Sequence, residues 1–165
     1  MPMNEAMRSE MDRAVLCWLA TVSADGLPNV SPKEIFATLD GNSLVIADIA
    51  SPASVRNARA NPKVCVAMVD VFRQRGFKIT GTARIIGPGE ADFATLGRDL
   101  LAKAGDAFPI RHVILVHIAR ISRIWAPSYS LFPGRSEEAR MQAAYRTYGV
   151  QPHVHDIDSG SDKYV

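Results

Sequence analysis

The chain has 165 residues, 47% of them apolar, with 19 lysines and arginines against 17 acidic residues and a formal net charge of +2. This length suits one domain with room for an appended arm, and the apolar fraction is enough for a core. The small, scattered charge excludes the strong basic excess of a nucleic-acid binder, while a local basic pocket for a phosphate stays open.

Met7, Met11, Ala14 and Val15 recur at helical spacing among Arg8, Glu10, Asp12 and Arg13, which predicts a short amphipathic helix from about Glu5 to Arg13. The apolar run Leu16 to Ser23 reads as a strand ending at the turn Ala24-Asp25-Gly26. Asn29 to Leu39 reads as a second strand, Asp40-Gly41-Asn42 as a turn, and Leu44 to Asp48 as a third strand in an antiparallel meander. Ser51-Pro52 opens a short helix with Val55 and Ala58 on its inner face, and Asn61-Pro62 stops it. Val64 to Val71 is a fourth strand. Gly76 to Ile86 is a fifth, with Phe77, Ile79, Ala83 and Ile85 alternating against Lys78, Thr80, Thr82 and Arg84.

Pro88-Gly89 ends that strand, and Phe93, Leu96, Leu100 and Leu101 mark one amphipathic helix. His112 to Trp125 is a sixth strand, Pro127 and Pro133 break the chain into loops, and Glu137 to Tyr148 forms a last helix. Gln151 to Val165, with few large apolar groups, reads as a loose or partner-docked tail. Six strands with only short helices do not suit a parallel doubly wound sheet. Antiparallel pairing with curling hides both edges and encloses one core, so a mainly β, six-stranded antiparallel barrel with short flanking helices is predicted. The expected division is residues 1–130 for the barrel and 131–165 for a C-terminal helix and arm packing on the barrel or a partner.

Cys17 and Cys65 each sit in a strand run without metal-ligand spacing and read as reduced core residues. Met1 to Arg13 lacks the basic-then-apolar order of a signal peptide, and no run approaches eighteen apolar residues, so a soluble cytoplasmic protein is expected. His153 and His155, followed by Asp156 and Asp158, have no third ligand at diagnostic spacing, and no metal site is assigned. Neither a glycine-rich phosphate loop nor a dinucleotide fingerprint nor a nucleophile elbow is present. His112 and His117 read as strand residues with ordinary hydrogen bonds.

The order of segments resembles the pyridoxamine-phosphate-oxidase-like split barrels that bind flavin mononucleotide (FMN). The resemblance is carried by Leu19-Ala20-Thr21-Val22 with Asp25-Gly26, by Pro28-Asn29-Val30-Ser31-Pro32-Lys33, and by Leu44-Val45-Ile46-Ala47-Asp48. It continues through Val55-Arg56-Asn57-Ala58-Arg59-Ala60-Asn61-Pro62-Lys63-Val64 and Gly81-Thr82-Ala83, covering roughly Met11 to Trp125. It implies a split barrel that works as a homodimer, with FMN clamped between protomers. The implied phosphate and ribityl contacts fall on Asn29 to Lys33, on Ala47 and Asp48, and on Ser51 to Arg56. The partner's fifth strand, with Gly76, Phe77 and Lys78, would approach the flavin ring, and the segment Trp125 to Tyr129 would close the site.

The sequence also departs from the vitamin-making oxidases of that family. Their Arg-Lys pair at the start of the short helix aligns with Ala53 and Ser54, and their glutamine near the ring aligns with Gly76. Their substrate arginine and histidine have no secure match after Trp125. These departures point to the broad short-chain branch, whose members include flavin reductases and deazaflavin users.

Read by chemistry, a flavin phosphate needs several converging donors. Ser31, Ser51 and Ser54 offer hydroxyls, and Lys33, Arg56 and Lys78 offer charge, while the start of the short helix adds a favourable dipole. The plain alternatives are helix capping by Ser51 and Ser54, an Arg56–Asp48 ion pair, a surface Lys33–Glu34 pair, core packing of Phe77, an interface salt bridge at Lys78 and arm packing by Trp125 and Tyr129. Arg73-Gln74-Arg75, in the loop before the fifth strand, reads as an exposed basic loop and a candidate gate of the dimer pocket, although basic loops are common. The expected activity is that of an FMN-dependent oxidoreductase, with a nicotinamide nucleotide or other small redox molecule as partner and no catalytic base assigned. The alternatives are a non-enzymatic flavin-binding or redox-sensing protein and a deazaflavin-dependent reductase.

Overall fold

The computed structural model describes residues 3–152. Among them lie seven strands: β1 (Cys17–Val22), β2 (Pro28–Lys33), β3 (Phe36–Thr38), β4 (Ser43–Asp48), β5 (Lys63–Asp70), β6 (Arg75–Ile86) and β7 (His112–Trp125). Six helices accompany them: α1 (Glu5–Asp12), α2 (Pro52–Ala60), α3 (Asp92–Leu96), α4 (Arg98–Ala104), α5 (Ser128–Leu131) and α6 (Glu137–Tyr148). All the pairings are antiparallel, and the strands form one sheet in the order β2-β1-β5-β6-β7-β4-β3.

That order forces the sheet to curl. The two edge strands, β2 and β3, are separated by only Glu34 and Ile35. A flat sheet of seven strands would set its edges about 29 Å apart at ~4.8 Å per strand. The chain from Lys33 to Phe36 can reach at most about 10 Å. The edges must therefore meet at Glu34-Ile35, where Ala47 N–H donates to Ile35 O at 2.9 Å and extends the β3–β4 ladder to the corner. This corrects the six-strand expectation. The stretch read as one strand, Asn29 to Leu39, is two, because its first half pairs with β1 and its second half with β4.

Curling creates two apolar regions. One lies inside the sheet and gathers Leu19, Ile46, Val66, Phe77, Ile79 and Ile114 with Met11 of α1 and Val55 and Ala58 of α2. The other lies behind β4, where Val45, Ala47, Ile86 and Val113 meet Leu100 and Ala104 of α4. Every residue of β4 is therefore buried. The single helix expected around Phe93 to Leu101 is divided at Gly97, where a Cβ would stand 2.6 Å from Phe93 O and 2.9 Å from Val113 Cγ2.

Gly76 marks the tightest backbone approach in the sheet. A Cβ there would lie 1.9 Å from Met68 O and 2.8 Å from Val69 Cα. Backbone cannot rotate away as a side chain can, so Gly76→Ala is expected to destabilise the fold by about 3 kcal/mol. Urea denaturation checks this, and an unchanged midpoint would contradict the packing described.

The C-terminal arm docks on the β5–β6 hairpin. Phe72 packs on Tyr145 with ring centroids 4.9 Å apart. Glu137 bridges Arg73 (3.0 Å) and Arg75 (2.6 Å), while Arg73 also meets Asp70 and Arg75 also meets Glu10. The basic loop read as a gate is thus neutralised and tied to α1 and α6. Buried Arg140 donates to Phe132 O at 2.8 Å and lies over the Tyr129 ring at 4.2 Å, while the Tyr129 hydroxyl donates to Arg73 O.

Candidate functional site

Lys33 ends β2 at the junction where the sheet edges meet, and only 6% of it is exposed. A buried ammonium requires a partner. Its Nζ donates to Ser51 Oγ, and Ser31 Oγ stands 3.5 Å from the same hydroxyl. Ser51 thus gives up the capping role: no side chain caps the start of α2, and Ser51 N–H instead donates to Asp48 Oδ1 at 2.9 Å. Burial lowers the Lys33 pKa, and the nearby Asp48 carboxylate opposes that shift. The neighbouring Cys17, paired with Lys33 across β1 and β2, has its thiol pushed up to about 12 by burial and is an inert core thiol at neutral pH.

Asp48, 2% exposed, holds this group together. Its Oδ2 lies 2.8 Å from His112 Nδ1, directly across the β4–β7 pair. His112 Nε2 lies 3.3 Å from Arg59 NH2. Guanidinium only donates, so Nε2 accepts and Nδ1 carries the proton that Asp48 receives. The expected alternative of an Arg56–Asp48 ion pair is replaced by this histidine contact.

Two clefts meet at Ser51. One, of about 790 Å3, has walls of Pro32, Ile35, Ala47, Ile49 and Phe108, with Lys33, Glu34 and Ser51 as its polar lining. The other, of about 640 Å3, is basic, with Arg56, Arg59, Arg111 and His112 around Asp48. The structure therefore brings together Ser31, Lys33, Ala47, Asp48 and Ser51, while Arg56 stands in the adjoining basic cleft. Ser54 turns inward: its hydroxyl accepts from Asn29 Nδ2 at 3.3 Å, in a buried network with Thr21 and Asn57.

Three candidates lie elsewhere in the chain. Phe77 is a core residue, 1% exposed, because its alternate position on β6 faces the interior. It forms part of a separate cleft of about 410 Å3 between α1 and the β5–β6 hairpin. Lys78 projects on the outer face of β6, in the cross-strand row Pro32–Trp18–Ala67–Lys78–Ser122. Trp125, at the end of β7, packs edge-on to Tyr129 at 4.9 Å under the Arg123 guanidinium.

Sequence reasoning missed Arg59, Arg111 and His112 as site residues. Arg59 follows Arg56 by three positions on α2 and so shares its face. That spacing was legible, whereas the meeting of α2 with the start of β7 was not. Among the described residues no group of three or more His, Cys, Asp or Glu could hold a metal ion. The His153, His155, Asp156 and Asp158 group falls outside the described residues. No described helix is long and apolar enough to cross a membrane.

Comparison with known proteins identifies the family to which this chain belongs. Residues 3–125 match the family model for pyridoxamine 5'-phosphate oxidase, and the chain belongs to that family. HupZ of Group A Streptococcus is 24% identical with a TM-score of 0.64, covering 75% of this chain and 95% of that one. A candidate pyridoxamine 5'-phosphate oxidase from Lactobacillus delbrueckii is 25% identical with a TM-score of 0.62, covering 73% and 93%. An FMN-binding protein from Syntrophomonas wolfei is 13% identical with a TM-score of 0.63, covering 74% and 86%. No curated protein matches the chain.

Proposed function

We propose that the chain is a homodimeric FMN-dependent oxidoreductase whose cofactor lies over the Lys33–Ser51 group. The observation that carries this reading is the buried Lys33 side chain held against the Ser51 hydroxyl in the lining of a largely apolar cleft. The donor set suits the cofactor. Lys33, Ser31, Ser51 and the uncapped start of α2 supply positive charge and hydrogen bonds for a phosphate. The wall of Pro32, Ile35, Ala47, Ile49 and Phe108 suits a planar ring, and about 790 Å3 lies in the usual range of ligand pockets. The family matched by residues 3–125 is named for an oxidase, and the Syntrophomonas wolfei relative for FMN binding.

A bound flavin would supply two-electron redox chemistry at this place. The chain's part is to hold the phosphate, orient the ring and limit water. Lys33 adds a fixed positive charge, and Asp48 keeps Ser51 in place through the Ser51 amide. The dimer reading rests on the outer face of β1, β2 and β5, where Trp18, Val30 and Val69 are exposed beside Pro32 and Ala67. Lys78 lies in the same row, and in the proposed dimer it would approach the cofactor of the second copy.

Reduction experiments test the activity. Protein titrated with FMN should show saturable quenching of flavin fluorescence, and NADH or NADPH should bleach the bound flavin with turnover in air. Bleaching by dithionite alone would leave a binding module, and uptake of a deazaflavin in preference to FMN would overturn the cofactor assignment.

A further inference from the structure

The arm after Trp125 lies beyond residues 3–125, the part matched to the family. Its contacts converge on the connection between β5 and β6. Ala126 N–H donates to Gln74 O at 3.0 Å, and the Tyr129 hydroxyl donates to Arg73 O at 2.7 Å. Gln74 is the one non-glycine residue with positive φ (+56°) among those described, a backbone conformation that its surroundings must support. From α6, Glu137 reaches the arginines on either side of Gln74, Arg73 at 3.0 Å and Arg75 at 2.6 Å.

Those two arginines line the cleft of about 410 Å3 between α1 and the hairpin, beside apolar walls of Leu16, Met68, Val71, Phe72 and Phe77. Three cations line this cleft, Arg13, Arg73 and Arg75, against two carboxylates, Glu10 and Asp70. Asp70 pairs with Arg73 at 2.7 Å, and Glu10 pairs with Arg75 at 3.4 Å. Glu137, which is not in the lining, supplies a third carboxylate and brings the balance to zero. It also occupies Arg73 Nε and a terminal nitrogen of Arg75, so less of either guanidinium is left for an anion. Arg13 is exposed and donates to Ser9 Oγ at 2.9 Å. A largely apolar concavity with its charges balanced favours an occupant without charge.

We propose that the cleft between α1 and the β5–β6 hairpin binds an uncharged, apolar small molecule, and that Glu137 of the arm sets this selectivity by neutralising Arg73 and Arg75. Gly76 and Phe77 also line the cleft, and in the proposed dimer they would approach the flavin of the second copy. The occupant would then be a redox partner of that flavin. This role rests on the flavin reading, whereas the binding itself does not.

Calorimetric titration of the flavin-free full chain at low salt tests this, with naphthol as the uncharged probe and naphthalenesulfonate as its anionic counterpart. Naphthol should bind saturably and more tightly than the sulfonate. Val71→Glu, at an exposed position of the wall, should weaken naphthol binding at least about tenfold by setting a carboxylate against the ring. Glu137→Lys should tighten the sulfonate about tenfold and leave naphthol unchanged, and about 1 M salt should erase most of that gain. Glu137→Asp should behave like the parent, and circular dichroism verifies that the variants fold. The proposal is overturned by no saturation with naphthol, by a parent that binds both probes equally, by naphthol affinity untouched in Val71→Glu, or by a probe ratio untouched in Glu137→Lys. A parallel FMN titration separates the two readings. FMN binding without naphthol binding would sink this inference alone, and naphthol binding without FMN binding would uphold the cleft and sink the flavin reading.

Discussion

Replacing Lys33 with methionine is expected to weaken FMN binding by roughly 10- to 150-fold while leaving the flavin-free protein as stable as the parent or more so. The two effects separate because, in the proposed site, the lysine serves the ligand and not the fold. A hydrogen bond from a charged donor contributes about 1.5–3 kcal/mol, and 1.4 kcal/mol is tenfold in affinity. In the unliganded protein Lys33 is 6% exposed, and its hydrogen-bonded neighbour is a neutral hydroxyl. A methionine of similar reach removes the desolvation and keeps the packing.

The pH dependence of stability follows the same logic. Burial lowers the folded pKa of Lys33 below its ordinary 10.5. In the window between those two values the unfolded chain binds more protons, so stability rises with pH there. The penalty is fully present below the folded pKa and has vanished above 10.5. Lys33→Met should flatten that rise. Fluorescence titration and thermal unfolding across pH check both halves, and unaltered FMN affinity in the variant would contradict the placement of the phosphate.

Under the proposed homodimer, Trp18→Glu is expected to leave monomers and to abolish tight FMN binding in the same step. Trp18 is 46% exposed on the outer face of β1, flanked in register by Pro32 of β2 and Ala67 of β5. A tryptophan at the centre of an interface contributes about 2–4 kcal/mol. A symmetric dimer loses it twice, and a carboxylate left in the apolar patch adds a desolvation cost. The dimerisation constant should fall by at least on the order of a thousandfold. Because the side chain points away from the interior, the monomer should keep its secondary structure. Size-exclusion chromatography with light scattering decides the first part, and a flavin titration of the resulting species decides the second.

Most of the fold was legible because local signals and the tertiary pattern agree. Asp25-Gly26 turns the chain, Asn61-Pro62 ends α2, and the alternation from Phe77 to Ile85 sets the inner and outer faces of β6. The break between β2 and β3 was not legible. Lys33-Glu34-Ile35-Phe36 holds no turn residue, and the strand divides only because closure hands its second half to a different neighbour. Gly97 was a visible signal for dividing the helix around Phe93 to Leu101.

The site was legible in part, for the same reason. Ser31, Lys33, Asp48 and Ser51 lie in two nearby segments and converge. The surface Lys33–Glu34 pair was the plain alternative to a cofactor contact, yet closure buries the lysine while the glutamate stays exposed in the cleft lining. The Asp48–His112 contact joins positions 64 residues apart, and no local pattern announces it. The alternation of β6 made core packing of Phe77 legible beside the family position it matches, and its side chain does lie in the core.

Sedimentation velocity of the protein mixed with FMN, recorded at once by protein and flavin absorbance, bears most directly on the shared-site account. The two signals should move together as one boundary at the mass of two chains, with one flavin per chain. Flavin sedimenting with single chains, or left behind as free cofactor while the protein sediments alone, would contradict it.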